Sequence, residues 1–249
     1  MIKFFKNIRN THLNEGKTAN PALPAGRYLK YAIGEIVLVV IGILIALQIN
    51  NWNEDRKENA LEIEILKEVK HNLTYDLQDA EYNLNAQRKK LTSQNIIINW
   101  LESDQVFHDS LSPHFSRIQY GTTFDSNESS YHTLEQLGMR IISNDSLRNQ
   151  ISKIYDYTYK IYNRYNSNYK EFVESMYPIN AKYFNELDYT KNTMRPKNIQ
   201  ELKADNAYSY YLKTCRNGNE ILIDRTIPRV IAEIKKTIAM IDKELETRN

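Results

Sequence analysis

Hydrophobic positions in this chain follow two patterns. From Ile36 to Leu47 they are continuous, an unbroken run of Ile, Val, Leu, Ala and one Gly, flanked by Tyr31, Ala32, Ile33 and Ile49. With those flanks the run approaches the ~20 residues that a helix needs to cross a bilayer. Tyr31 to Trp52 covers ~31 Å at a rise of 1.5 Å per residue, close to the thickness of a hydrocarbon core. Tyr28 and Tyr31 at one end and Trp52 at the other suit the two membrane interfaces, with Arg27 and Lys30 beside the first. The pattern predicts a transmembrane helix over residues 27–52. Gly34, Gly42 and Ala46 form a stripe of small residues on one side of it, which would let a second helix approach closely. Glu35 lies just inside the span. An acid near hydrocarbon is a candidate functional group, and the alternative is a side chain that snorkels to the interface and pairs with Lys30 or Arg27.

Beyond Trp52 the apolar positions become periodic. Leu73, Leu77, Ala80, Leu84, Gln87, Leu91, Gln94, Ile98 and Leu101 alternate at steps of four and three, in a stretch without Gly or Pro. That rhythm is the seam of a helical bundle, and it predicts that the membrane helix continues to about Leu101. Gln87 and Gln94 read as register-fixing polar seam positions or as exposed residues at a widened end of the bundle. Residues 103–130 are loop-rich, with Pro113 starting one short helix over Phe115 to Tyr120. A second short helix, Thr133 to Leu137, stops at Gly138. Ser143, Asn144 or Asp145 caps a long helix with Leu147, Ile151, Ile154, Thr158, Ile161, Tyr165, Tyr169, Phe172 and Met176 on one stripe, ending at Pro178. Residues 179–204 read as irregular. Asp205 or Asn206 starts another helical stretch, broken at Asn217–Gly218. A last helix begins near Pro228 and carries Ile227, Ile231, Ile234, Ile238, Ile241 and Leu245. None of these stripes can be buried alone. The predicted fold class is all-α: one N-terminal transmembrane helix continuing into a long helix of an exported antiparallel helical bundle.

Composition supports long helices, since seven Gly and six Pro are few for 249 residues. Charge adds an orientation. The formal net charge is only +2, but Lys3, Lys6, Arg9, Lys17, Arg27 and Lys30 precede Tyr31 against the single acid Glu15. The rest of the chain is slightly acidic. Basic residues beside a first membrane helix mark its cytoplasmic side, so the N-terminus is expected inside and the large domain outside. The expected organisation is a cytoplasmic basic segment and linker over 1–26, the membrane helix over 27–52, and an exported bundle over 53–249. Ile2, Phe5 and Ile8 alternate with Lys3, Lys6 and Arg9, which fits an amphipathic helix on the inner leaflet or a frayed tail. A cleaved signal peptide is also basic and then apolar, but some thirty residues precede this run and no A-x-A-like site follows it. A nucleic-acid partner would need a basic face on the folded domain, which this charge balance does not offer.

Three phrases, MIKFFKNIR, PALPAGRYLKYAIGEIVLVVIGILIALQINNWNE and IISNDSLRNQI, together resemble a large family of bacterial single-pass membrane proteins of unknown function. The resemblance is specific over the first ~60 residues and around Tyr131 to Ile151. It implies a short cytoplasmic basic segment, one membrane helix and a helical domain beyond it. No reaction, ligand or catalytic residue comes with it.

Candidate chemistry is sparse. Glu68-Val-Lys-His71 is half of a di-iron bundle motif, but no second E-x-x-H exists, and both residues fall on the face opposite Leu66 and Leu73. His108, Asp109, His114 and His132 share one loop-rich region and would matter only if they converged on a metal. No G-x-S-x-G, P-loop or G-x-G-x-x-G is present. Cys215 stands alone, which permits no intramolecular disulfide and reads as a core thiol. No catalytic residue, metal or cofactor is expected. The compositional oddity is eighteen Tyr. Tyr157, Tyr159, Tyr208 and Tyr210 are candidate partner-binding residues, and the alternative is that such rings pack between helices. The expected function is a non-enzymatic membrane-anchored interaction or scaffold module, with the lipid bilayer and envelope proteins or a second copy of itself as partners. The alternative is an extracytoplasmic ligand sensor working through a partner, because about thirty residues on the inner side are too few for an output domain. A buried polar pocket between helices, lined by Tyr and Arg, would favour the sensor. An exposed aromatic patch would favour the partner-binding module.

Overall fold

In the computed structural model the described residues are 25–248; the side chains of residues 25–28, 30 and 31 are excepted. The amphipathic segment and linker, and the interface roles of Arg27, Tyr28, Lys30 and Tyr31, therefore lie outside what is described. So does any pairing of Glu35 with Arg27 or Lys30. The described residues are helical and contain no strand, only two isolated bridges, Phe184 with Pro196 and Asp188 with Thr193. Helix α1 is unbroken from Ala25 to Leu101, 77 residues, as expected of a stretch that lacks Pro and has no Gly beyond Gly42.

The chain divides into two compact units, residues 1–57 and 58–249. In the first, α1 is long and apolar enough to cross a membrane, and none of its apolar window is buried. Ile33, Ile36, Leu44, Ile49 and Trp52 are all exposed. A methyl group added to Gly34 or Gly42 would meet nothing within 4 Å. The Arg56 guanidinium lies over the Trp52 ring, 5.9 Å from its centre.

In the second unit the chain runs out along α1 and returns beside it in an extended strap, residues 119–128, followed by α3 (Ser129–Leu137). Between them sits the short α2 (Ser112–Arg117), with Pro113 in its first turn. Gly138, at φ 95, ends α3 in a conformation costly for other residues. The Asn144 side chain then accepts from the Ser146 and Leu147 N–H groups and starts α4 (Asp145–Lys153). A π-helical segment, Ile154–Tyr159, joins α4 to α5 (Lys160–Glu174). Two further short helices, α6 (Tyr177–Tyr183) and α7 (Ile199–Ala204), break up the region expected to be irregular. Asp205 caps α8 (Asn206–Ile221), which passes through a second π segment, Leu222–Thr226, into α9 (Ile227–Glu246).

Side-chain pairs give the direction of each helix. Glu62 meets Arg248, Lys70 meets Asp242, Glu81 meets Lys235 and Gln94 meets Asn219, so α8 and α9 run opposite to α1. Glu62 also meets Ser143, Asp76 meets Tyr159 and Lys90 lies over Tyr169, so α4 and α5 run with α1. Each core-facing stripe is thereby covered by its neighbours, as burial requires.

Three expectations need correcting. The α4–α5 stripe shifts by one residue at the π segment: Tyr162, Asn166 and Val173 take the buried positions expected for Ile161, Tyr165 and Phe172. A π turn inserts one extra residue into the helical ladder and moves the buried face by one position; the expected stripe regains register at Tyr169 and Met176, which are buried. Gly218 does not break α8. The Tyr169 ring packs against it so closely that an added Cβ would sit 3.0 Å from Cδ2, so glycine there serves close approach rather than a turn. The bundle seam on α1 is also different, and it defines the site below.

Candidate functional site

The buried line of α1 is Glu62, Leu66, Val69, Leu73, Asp76, Ala80, Asn83, Gln87, Lys90, Gln94 and Ile97. It keeps the four-three rhythm from end to end, yet six of those positions are polar. The seam expected from hydrophobic residues shares Leu73, Ala80, Gln87 and Gln94 with it. Ile98 is buried as expected, next to that line, while Leu77, Leu84, Leu91 and Leu101 sit beside it, half-buried.

The reason is the strap. Residues 121–128 form neither helix nor strand, so their backbone polar groups need partners from elsewhere. Side chains of α1 bond to backbone and hydroxyl groups along and beside this segment in sequence. Lys90 Nζ donates to the Tyr120 carbonyl (2.9 Å) and Gln87 Nε2 to Thr122 Oγ1 (3.0 Å). Asn83 Nδ2 donates to the Thr123 carbonyl (3.1 Å). Asp79 accepts from the Asp125 N–H (3.2 Å) and Asp76 from the Asn127 N–H (2.8 Å). Asn72 donates to the Ser130 hydroxyl at 2.8 Å. From α5, Asn166 Nδ2 donates to the Thr122 carbonyl at 3.2 Å. The polar seam is the complement of an irregular segment that occupies the place of a bundle helix.

Two titratable groups are trapped in this arrangement. Asp76 accepts from the Tyr159 hydroxyl at 2.7 Å; burial outweighs that bond and the one from Asn127 and pushes its carboxyl up to about 6. Lys90 is 3% exposed, and burial pushes its ammonium down to about 8, which leaves it charged at pH 7. Among the described residues no carboxylate pairs with it. Its other neighbour is the face of the Tyr169 ring, 5.1 Å away.

Beside Lys90 is a cavity of about 110 Å³ between α1, the strap and α5. Gln87, Lys90, Thr122, Asn166 and Tyr169 line it, with Lys170, Glu174 and Tyr177 around it. Gln87 Oε1 is buried without a hydrogen-bond partner, and the Tyr169 hydroxyl turns to Gln94. A shallower, more open depression of about 440 Å³ lies between α1 and α3, lined by Lys67, Glu68, His71, Asn72 and Ser129.

The four candidate tyrosines separate. Tyr157 and Tyr210 are exposed, the former beside Arg229 and the latter beside Tyr211. Tyr159 and Tyr208 are 1% and 0% exposed, so neither is available to a partner. The π segment turns Tyr159 inward onto Asp76, and Tyr208 sits against Tyr183 and Phe184.

The histidines have separate local partners. His108 caps a 3-10 turn, His114 bonds Ser93 at 3.0 Å, and His132 lies between Glu128 and Glu135. Among the described residues, no three His, Cys, Asp or Glu side chains are placed to hold a metal ion. Cys215 is buried, 3.4 Å from the Met176 sulfur, and burial pushes its thiol up to about 11.

Lys90, Asp76 and Asn83 are the residues that pattern reading misses. Lys90 closes the run Arg88-Lys89-Lys90 and reads as solvated; the one available signal is that it stands at the next four-three step after Gln87 and Asn83. No curated protein matches the chain, and no solved structure does. Residues 35–206, from inside the apolar segment through α1, the strap and the cavity to the start of α8, match the family of unknown function DUF6090, and the protein belongs to that family.

Proposed function

We propose that the protein is a single-pass membrane-anchored module of the bacterial inner membrane. Its basic N-terminus faces the cytoplasm, and its helical unit stands on the other side as a non-enzymatic interaction or scaffold domain. The observation that carries this reading is the uncovered apolar segment of α1: side chains from Ile33 to Ile49 are exposed within the chain, and a lipid environment is what such a surface requires. The basic residues before Tyr31 support the orientation. Tyr157 and Tyr210, exposed on the helical unit, are the candidate partner contacts, and envelope proteins or a second copy are the candidate partners.

Thiol labelling tests the topology. Val106 is 86% exposed whereas Cys215 is buried, so Val106→Cys should react with a membrane-impermeant maleimide in spheroplasts while the parent chain does not. Labelling that appears only after permeabilisation would invert the topology. Crosslinking and affinity capture in native membranes test the interaction role, and the absence of both a reproducible partner and self-association would exclude it.

A second reading, an extracytoplasmic ligand sensor acting through a partner, is favoured by one observation. The polar cavity at Lys90 lies between elements of the bundle, and one of its walls is the helix that carries the apolar segment. Occupancy there would bear on packing between α1 and α5.

A further inference from the structure

We propose that the cavity beside Lys90 binds a small monoanionic hydroxy-carboxylate. The inference develops the ligand-receiving reading and does not depend on the membrane topology.

Two side chains at least nine-tenths buried, Lys90 and Gln87, line this cavity with bonding capacity unspent. An ammonium has three donors. Lys90 directs one to the Tyr120 carbonyl and faces the Tyr169 ring; among the described residues it has no counter-ion. Gln87 spends its amide N–H on Thr122 and leaves Oε1 without a donor. The Tyr169 hydroxyl turns to Gln94. Buried polar groups are ordinarily bonded, and a buried charge ordinarily meets an opposite charge. An uncompensated ammonium and an open amide oxygen on one cavity suit a small polar anion.

The same groups define its chemistry. One buried cation matches one negative charge. Lys170, the other cation at the cavity, has Glu174 as its partner at 3.9 Å, which disfavours a dianion. A carboxylate accepts from the free donors of the Lys90 ammonium. Gln87 Oε1 requires a donor on the ligand, which a hydroxyl supplies and a simple alkyl acid lacks. An α-amino group would also donate, but it brings a second cation towards Lys90. The cavity of about 110 Å³ suits a small ligand rather than a large one.

The test is titration calorimetry of the full chain in detergent micelles with lactate and with propionate, which differ by one hydroxyl. Lactate should bind saturably and on the order of tenfold more tightly than propionate, a ratio typical of one buried hydrogen bond. Lys90→Met should abolish binding of both. Gln87→Leu should bring lactate down to the level of propionate while retaining binding. Circular dichroism checks that each variant is folded; should Lys90→Met unfold, the loss of selectivity in Gln87→Leu decides alone. Absence of saturable binding would mean that the cavity holds only water and would overturn the proposal. So would unchanged binding in a folded Lys90→Met variant, or tighter binding of inorganic phosphate than of lactate. These readouts use the purified chain, so they fail or succeed separately from the Val106→Cys labelling.

Discussion

Asp76 shows what the polar seam costs a single residue. Its carboxyl is raised to about 6 by burial, so between the ordinary carboxylate value and 6 the folded chain holds a proton that the unfolded chain has released. Stability from this group is therefore present at low pH and is lost as pH rises through 6. An Asn at this position does not titrate. The stability difference between the parent and Asp76→Asn should move in favour of the parent by about 2 kcal/mol on going from pH 7 to pH 4.5, measured by urea unfolding. A difference independent of pH would show that the carboxyl titrates normally. Tyr159, whose hydroxyl donates to Asp76, has its own ionisation driven upward by burial and by that carboxylate.

Among the elements, α1 carries two kinds of surface on one uninterrupted helix. Its first part is apolar on all sides and uncovered; its second part is buried along one line and exposed on the other faces. If the first part is an anchor, charge at its centre should weaken it. Val40→Arg together with Leu44→Arg places two guanidinium groups on one face, at roughly 2.5–3.5 kcal/mol each at a span centre. A substantial share of the chain should then move to the fraction released by alkaline carbonate. Full retention in the membrane pellet would remove the anchor reading. The strap and α3 form the element least like a bundle helix, and α1 compensates with a ladder of amide, carboxylate and ammonium side chains rather than with leucines.

On the scale of the whole helical unit, Arg248 closes the fold. Its guanidinium bonds both oxygens of Glu62, the carboxylate of Glu244, the Ser143 hydroxyl and the Asn59 side chain. It thereby joins the start of the compact unit, the turn before α4 and the end of α9. Glu62 is 3% exposed and also accepts from the Ser143 N–H at 2.9 Å. Removing one member of a buried pair strands the other, which costs about 3 kcal/mol or more. Arg248→Ala should lower the thermal midpoint by on the order of 10 °C for a unit of this size. A change of a degree or two would place the pair with ordinary surface ion pairs.

What the sequence determined by itself was whatever depends on local order. The apolar run, the lack of Pro in α1 and of Gly beyond Gly42, the cap at Asn144 and the stop at Gly138 are set by neighbouring residues, and each is legible in the chain. The α4–α5 stripe was misplaced just past its π segment, whereas the α9 stripe keeps Ile227, Ile234 and Ile241 buried beyond the second one. An inserted residue leaves no compositional mark, and past Tyr159 the buried face moves from Tyr165 to Asn166. The inside of the bundle was decided by tertiary structure. Hydrophobicity ranks Leu84 and Leu91 above Asn83 and Lys90, and it does so correctly for a partner made of helix. Here the partner along part of α1 is an extended strap whose carbonyls and N–H groups demand hydrogen bonds, so Asn83 and Lys90 go in and the leucines lie beside them. The cavity at Lys90 exists only where that strap, α1 and α5 meet, and no single stretch of the sequence contains it.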